Sequence, residues 1–274
     1  MTFLRKLNPK KVVVKVGTST IVLPNNKVNL RTISRLAFVL TDLCNRGIEV
    51  VLVSSGAMGV GLGILNLANR PAEIPEQQAI SAIGQSNLIG IYTKEFSIYQ
   101  QIVAQVLLTR DVLLYPESHQ NVINTFDTML RRRIIPIVNE NDSISIDELD
   151  HKTAFSDNDE LSAIVTEVAD ADLLIVLSDI DGFYTGNPHK DETATLIPEI
   201  NEIDDEILSY VGGKGSKLGT GGMATKISAA KRVLAHGKPM VLANGRNPEV
   251  IFDILDGQEV GTLFTPKKTV HVKE

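Results

Sequence analysis

The run S-K-L-G-T-G-G-M-A-T-K from Ser216 to Lys226 stands directly before an amphipathic segment, I-S-A-A-K-R-V-L-A-H-G. Residues without side chains let successive backbone N–H groups turn toward an anion, and the helix that follows presents the positive end of its dipole. Lys226 enters in the first turn as a mobile point charge, so the stretch reads as a cradle for a polyphosphate. It is not a Walker A loop: the G-x-x-x-x-G-K-[ST] spacing is absent here and at Gly213 to Ser216. A glycine-rich surface loop that only caps a helix has the same signature.

A second cation lies near the start of the chain. Residues 11 to 20 read K-V-V-V-K-V-G-T-S-T, a β-branched run fit for a buried strand and broken by glycine. A lysine inside such a strand is costly unless an anion pairs with it. Lys15 near the strand's end, followed by the donors of Gly17, Thr18 and Ser19, therefore suggests a second phosphate contact; a lysine snorkelling from an edge strand is the alternative.

Strand-like and helix-like runs alternate along the chain, the pattern of a mostly parallel sheet covered on both faces. Strands are predicted at 11–16, 48–53, 102–108, 134–138, 172–178, 238–243 and 261–264. Asn29 is the expected N-cap of a helix whose apolar stripe carries Ile33, Leu36, Ala37, Leu40, Leu43 and Cys44 and which Gly47 ends. Further helices are predicted over 76–99, 117–133, 159–169, 202–211, 222–236 and 247–256, a hairpin over 142–155, and a solvated tail from 265.

Ligands of open α/β sheets bind beyond the carboxyl ends of the strands, so the residues after each strand carry the next signals. Ser54 to Gly61, S-S-G-A-M-G-V-G, reads as a glycine-spaced turn suited to a carboxylate, and it lacks the G-x-G-x-x-G spacing of a dinucleotide loop. N-E-N-D from Asn139 to Asp142 gathers amides and carboxylates where an ammonium could be held. S-D-N-D-E-L-S-A from Ser156 and S-D-I-D-G-F-Y from Ser178 complete the set. Each alone is explained by capping or turn chemistry; together they line one sheet edge.

Composition narrows the class. With 274 residues, 43% hydrophobic and 22% charged, the chain is globular and long enough for a sizeable core. A net charge of −6 argues against nucleic acid or an anionic membrane as the main partner. The basic runs Arg131 to Arg133 and Lys267 to Lys268 read as a helix C-terminus and a solvated tail. L-L-I-V-L at 173–177 is strand-length, far short of a membrane span. No signal-peptide pattern opens the chain, and its 1 cysteine excludes a disulfide framework, which points to a reducing cytoplasm.

The motifs K-V-G-T-S, V-S-S-G-A, N-E-N-D, D-N-D-x-L-S-A, S-D-I-D-G-F-Y and L-G-T-G-G-M-A-T-K, in this order over residues 11 to about 264, resemble those of the amino acid kinase family. The resemblance is nearest to members that phosphorylate the side-chain carboxylate of free L-glutamate with ATP, the first step toward proline. It implies a single α/β domain over 1–264, a three-layer α/β/α sandwich whose N-terminal part binds glutamate and whose part from about 172 binds ATP with Mg²⁺. It also implies a homo-oligomer, dimer or tetramer, and a reductase that takes up the unstable acyl phosphate. Many members carry an additional C-terminal PUA domain, where here only the short tail remains.

Carried over by position, the resemblance makes Lys15 and Lys226 the pair that neutralises the transferring phosphoryl group, and Asp159 the acid that orients them. Lys217 becomes an auxiliary. Ser55, Asp142 and Asn158 match the glutamate-binding positions. Ser178, Asp179 and the run Thr220, Gly221, Gly222, Met223, Ala224, Thr225 and Lys226 match the nucleotide-binding ones. Ser156 replaces the usual glycine, Ser178 a common threonine, and the 142–158 hairpin is longer than usual.

The chemistry agrees without the resemblance. A γ-carboxylate of pKa about 4.3 is already ionised at neutral pH, so the nucleophile needs no base, and none of the 5 histidines falls in a motif. Two anions that repel each other need alignment and cation density instead. Uridylate, carbamate or N-acetylglutamate kinases would share the lysines, but their acceptors carry no ammonium to match N-E-N-D and D-N-D. A sensor without catalysis would not need both lysines and Asp159.

Overall fold

The computed structural model describes residues 5–109, 115–144, 158–188, 190–211 and 222–266. Lys217, Thr220, Gly221, Ser156, most of the expected hairpin and the tail beyond 266 lie outside these residues. The strands are β1 (Lys11–Val16), β2 (Glu49–Val53), β3 (Val103–Leu108), β4 (Ile135–Glu140), β5 (Leu173–Ser178), β6 (Glu199–Ile200), β7 (Met240–Asn244) and β8 (Thr262–Phe264). Around them run α1 (Thr18–Ile21), α2 (Leu30–Asn45), α3 (Ala57–Leu65), α4 (Ile74–Ser97) and α5 (Pro116–Arg131), then α6 (Asn158–Val168), α7 (Asp205–Val211), α8 (Met223–Ala235) and α9 (Val250–Leu255).

The eight strands form one sheet in the order β3-β4-β2-β1-β5-β7-β8-β6, parallel except where β8 meets β7. Central β1 and β5 are near-continuous runs of β-branched residues and leucine because both their faces are covered. Strand parity sorts the core into two layers. Val12, Val14 and Val16 join the layer under α2, α4 and α9, whereas Val13 points into the layer under α5, α6 and α8. Lys15 shares the parity of Val13, so its side chain emerges on the α6 and α8 face.

β1 has β2 on one side and β5 on the other. The chain leaves β1 through α2 on one face of the sheet and reaches β7 from β5 through α8 on the other. This is a topological switch point, where a crevice opens at the carboxyl ends of the strands.

The predicted strands and long helices are present, with boundaries shifted by up to three residues. Asn29 caps α2, its side chain accepting from the Thr32 N–H, a contact of a kind that contributes about 1 kcal/mol. Gly47 follows the end of α2 at φ 87°, its N–H bonded to Cys44 C=O at 3.0 Å. The Ser54–Gly61 turn is a misreading. Only Ser54 to Gly56 form the turn, and α3 begins at Ala57.

The glycines that follow serve packing. A Cβ on Gly61 would stand 2.1 Å from Ile80 O, and one on Gly84 only 1.8 Å from Ala57 O. Glycine spacing therefore marks a close helix crossing of α3 on α4, which a sequence shows in the same letters as an anion loop. Gly84→Ala is expected to destabilise the fold by about 3 kcal/mol, the upper end of the cost of overpacking, because the clash is with backbone that cannot rotate away. Denaturant unfolding measures this; a loss under about 1 kcal/mol would show that α3 and α4 are not held at this distance.

Candidate active site

Lys15 and Lys226 meet on one carboxylate. Lys15 Nζ donates to Asp159 Oδ1 at 2.5 Å and Lys226 Nζ to Asp159 Oδ2 at 3.1 Å. Asp159 is fully buried, and the lysines are only 4% and 8% exposed. β1 supplies Lys15, the first turn of α6 supplies Asp159, and the first turn of α8 supplies Lys226. An acid in a helix's first turn is favoured by the dipole, and here it also prevents two buried ammonium groups from repelling one another in a poorly solvated place.

Burial alone would raise the Asp159 carboxyl. The charges of Lys15 and Lys226 outweigh it, with hydrogen bonds from Lys15 and Thr225, and the group is held below the ordinary carboxylate range. Thr225 Oγ1 donates to Asp159 Oδ2 at 2.8 Å, so this side chain, expected at the nucleotide, buttresses the acid. Gly222, at φ 49°, turns its carbonyl to accept from Lys226 Nζ at 3.0 Å. An ammonium has three donors; those of Lys226 not directed at Asp159 and Gly222, and those of Lys15 not directed at Asp159, can reach a phosphoryl group.

On one side of the clasp lies a cleft of about 340 Å³. Its walls include Ile180, Phe183, Tyr184, Tyr210 and Met223, and it ends at Gly222 and Lys226. Ser178 and Asp179, the positions matched to nucleotide binding, line it, with Ser178 Oγ donating to Asp179 Oδ1 at 3.2 Å. An apolar slot that ends in a lysine and a helix start suits a flat base with a charged tail. Sequence analysis did not single out Tyr210, since it is brought to the cleft from the distant α7.

On the other side, Asn158 joins the ends of two strands, β2 and β4. Its Nδ2 donates to Ser55 Oγ at 2.9 Å, to Ser54 C=O at 3.0 Å and to Asn139 Oδ1 at 3.1 Å. Its Oδ1 is buried without a hydrogen-bond partner among the described residues, an acceptor such as a bound ammonium would satisfy. Asn139, expected to hold a ligand, is 2% exposed and donates to Gln85 Oε1 at 2.6 Å. It positions Asn158 instead. Ser54 Oγ meets Tyr92 OH at 3.0 Å beneath the turn. Gln85 and Tyr92 sit on α4 with no local signal of this role; only the tertiary contacts reveal it. Asp142 is half-buried in the turn after β4, on the same sheet edge.

Cys44 takes no part. It is buried in the α2 core and burial pushes its thiol up to about 11. Among the described residues no helix is long and apolar enough to cross a membrane.

Comparison with known proteins fits this geometry. The sequence model of the amino acid kinase family matches residues 10–244. Glutamate 5-kinase of Enterococcus faecalis is 58% identical over 255 residues, 93% of this chain and 94% of that protein. Glutamate 5-kinase of Lactiplantibacillus plantarum is 56% identical over 264 residues, 96% of this chain and 100% of that one. Among solved structures, an isopentenyl phosphate kinase in complex with substrate superposes with a TM-score of 0.65 at 19% identity, covering 93% of this chain and 99% of the other. The UMP kinase of Bacillus anthracis superposes with a TM-score of 0.62 at 15% identity, covering 95% and 98%. These two likenesses concern the fold alone.

Proposed function

The chain belongs to the amino acid kinase family, and from that premise we infer how its residues carry out the reaction. It transfers the γ-phosphoryl group of ATP to the γ-carboxylate of L-glutamate, giving L-glutamyl 5-phosphate, the first step of proline biosynthesis. The observation that carries the mechanism is the clasp of Lys15 and Lys226 on Asp159, between the apolar cleft and the Asn158 cluster.

The nucleoside lies in the cleft between Tyr184, Tyr210 and Met223, with its phosphates directed to the start of α8 by Ser178, Asp179 and the run Thr220 to Lys226. Glutamate lies across Ser55, Asp142 and Asn158, its ammonium against the Asp142 carboxylate and the free Asn158 Oδ1. Its γ-carboxylate attacks as the anion it already is. Lys15 and Lys226 neutralise the equatorial oxygens as the phosphoryl group passes between two negative oxygens, and Asp159 stays ionised throughout, holding them apart and in place. No proton moves in the transfer.

Mg²⁺ carried by the nucleotide supplies charge neutralisation at the phosphates. Among the described residues no group of three His, Cys, Asp or Glu side chains could hold a metal by itself. Asp179, the carboxylate on the cleft wall, would hold such an ion beside the nucleotide's phosphates.

The same reading assigns glutamate to the half of the domain before about residue 172 and ATP to the half after it. A cytoplasmic site is in keeping with the single buried thiol. Exposed Phe38, Ile98, Tyr99 and Ile102 support a homo-oligomer, a dimer or tetramer. The product is a mixed anhydride open to hydrolysis, which favours direct uptake by a reductase.

Incubation with ATP, Mg²⁺ and one acceptor at a time, with hydroxylamine to trap an acyl phosphate, tests the assignment; glutamate should give hydroxamate, and N-acetylglutamate, aspartate, carbamate and UMP should not. Asp142→Ala should raise the glutamate KM steeply, on the order of tenfold or more, with the ATP KM nearly unchanged. An unchanged glutamate KM would remove Asp142 from the ammonium site.

A further inference from the structure

Behind the wall formed by Ser178 and Asp179, away from the nucleotide cleft, the sheet edge opens into a second cleft of about 600 Å³. Three guanidinium groups line it. Arg31 and Arg35 are four residues apart on one face of α2, and Arg246 comes from the loop after β7. Their convergence is built into the backbone. The Gly245 N–H donates to Ser178 C=O at 2.7 Å. A Cβ there would stand 2.8 Å from Leu177 Cβ and 3.1 Å from Thr20 Cγ2, so only glycine lets the loop come in this far.

None of the three arginines forms an ion pair with a carboxylate among the described residues. Among the described residues Arg35 donates only to the neutral Asn247 Oδ1, at 3.3 Å. In a chain with 33 acidic against 27 basic residues, three unpaired guanidiniums around one cleft depart from the average surface. The cleft also offers the hydroxyls of Ser19, Thr20 and Thr32, the latter two buried. Among the described residues Asp179 is the one acidic side chain that lines it, leaving a local charge of about +2.

We propose that this cleft binds a small phosphate-bearing dianion at a site that adjoins the transfer centre across Ser178 and Asp179 and is distinct from the nucleotide cleft. Arginine forks match the oxygens of a phosphoryl group bidentately, and the hydroxyls supply donors for the remaining oxygen. A dianion balances the charge; a monocarboxylate would leave half of it uncompensated. The inference does not depend on which acceptor the enzyme phosphorylates.

The test is calorimetric titration of the full chain, saturated with a non-hydrolysable ATP analogue and Mg²⁺ so that the nucleotide cleft is filled. Glycerol 3-phosphate and inorganic phosphate are the probes, with succinate as a dicarboxylate. One further site for the phosphate probes is expected, weakened about tenfold or more in Arg31→Gln/Arg246→Gln, while kcat for phosphoryl transfer is unchanged because neither residue touches the clasp. Both arginines are exposed, so folding of the variant is not at stake. Absence of binding to the saturated protein, or binding retained in the double variant, overturns the proposal; succinate binding as tightly as glycerol 3-phosphate overturns the phosphate class.

Discussion

Lys15→Ala and Lys226→Ala are each expected to lower kcat by about two to three orders of magnitude, the loss seen when one preorganised contact to developing charge is removed. The geometry gives the reason. Each ammonium is already oriented by Asp159, at 2.5 and 3.1 Å, so no reorganisation is needed as charge moves onto the transferring oxygens. Substrate binding should suffer less, because ground-state contacts to the nucleoside and to the glutamate ammonium are made by other residues. Steady-state kinetics with each substrate varied separates the two effects: a loss confined to KM would mean that the lysines bind substrates without stabilising the transition state. Lys226→Arg should not restore the rate, since a planar fork cannot occupy the position of a compact ammonium bonded to both Asp159 and Gly222.

Asp159→Asn should damage both stability and rate. Removing one partner of a buried ion pair leaves uncompensated charge, at a cost of about 3–5 kcal/mol, and here two ammonium groups lose the same partner. The sign of the pH dependence follows from the folded carboxyl being held below its unfolded value. Its contribution is fully present above about pH 4, where the unfolded carboxyl is ionised, and is lost as pH falls through the lower folded value. Unfolding free energies of wild type and variant should therefore differ by a constant amount from about pH 6 to 8 and converge in acid. Catalysis should follow the same logic. An organising carboxylate that is never protonated near neutrality gives a flat kcat/KM profile from about pH 6 to 8, whereas a general base would print its own raised pKa there. A wild-type ionisation in that window that vanishes in Asp159→Asn would falsify the organising role.

Several elements were legible because their signals are local. The β-branched runs of β1 and β5, the Asn29 cap and the stripe of α2 are decided by neighbours within one or two turns, so pattern and structure coincide. Lys15 in an apolar strand was readable for the same reason: a buried charge demands a partner, whichever residue that turns out to be. The sequence by itself thus determined an alternating α/β chain, the family motifs and the short set of residues able to do chemistry.

Which of those residues meet was decided only by the tertiary structure. Lys15, Asp159 and Lys226 are separated by 144 and 67 positions, and their meeting depends on the switch at β1 and β5 that sends α2 to one face and α8 to the other. Gly61 could not be read correctly from spacing, since a missing side chain makes room equally for an anion or for another helix, and here the helix is α4. Asn139 and Thr225 have Asn158 and Asp159 as hydrogen-bond partners because a polar side chain's role depends on what faces it, and what faces these two comes from other parts of the chain. The roles proposed for Gln85, Tyr92, Tyr210 and the three arginines of the second cleft carry no motif in the sequence; only long-range packing gives these residues their neighbours.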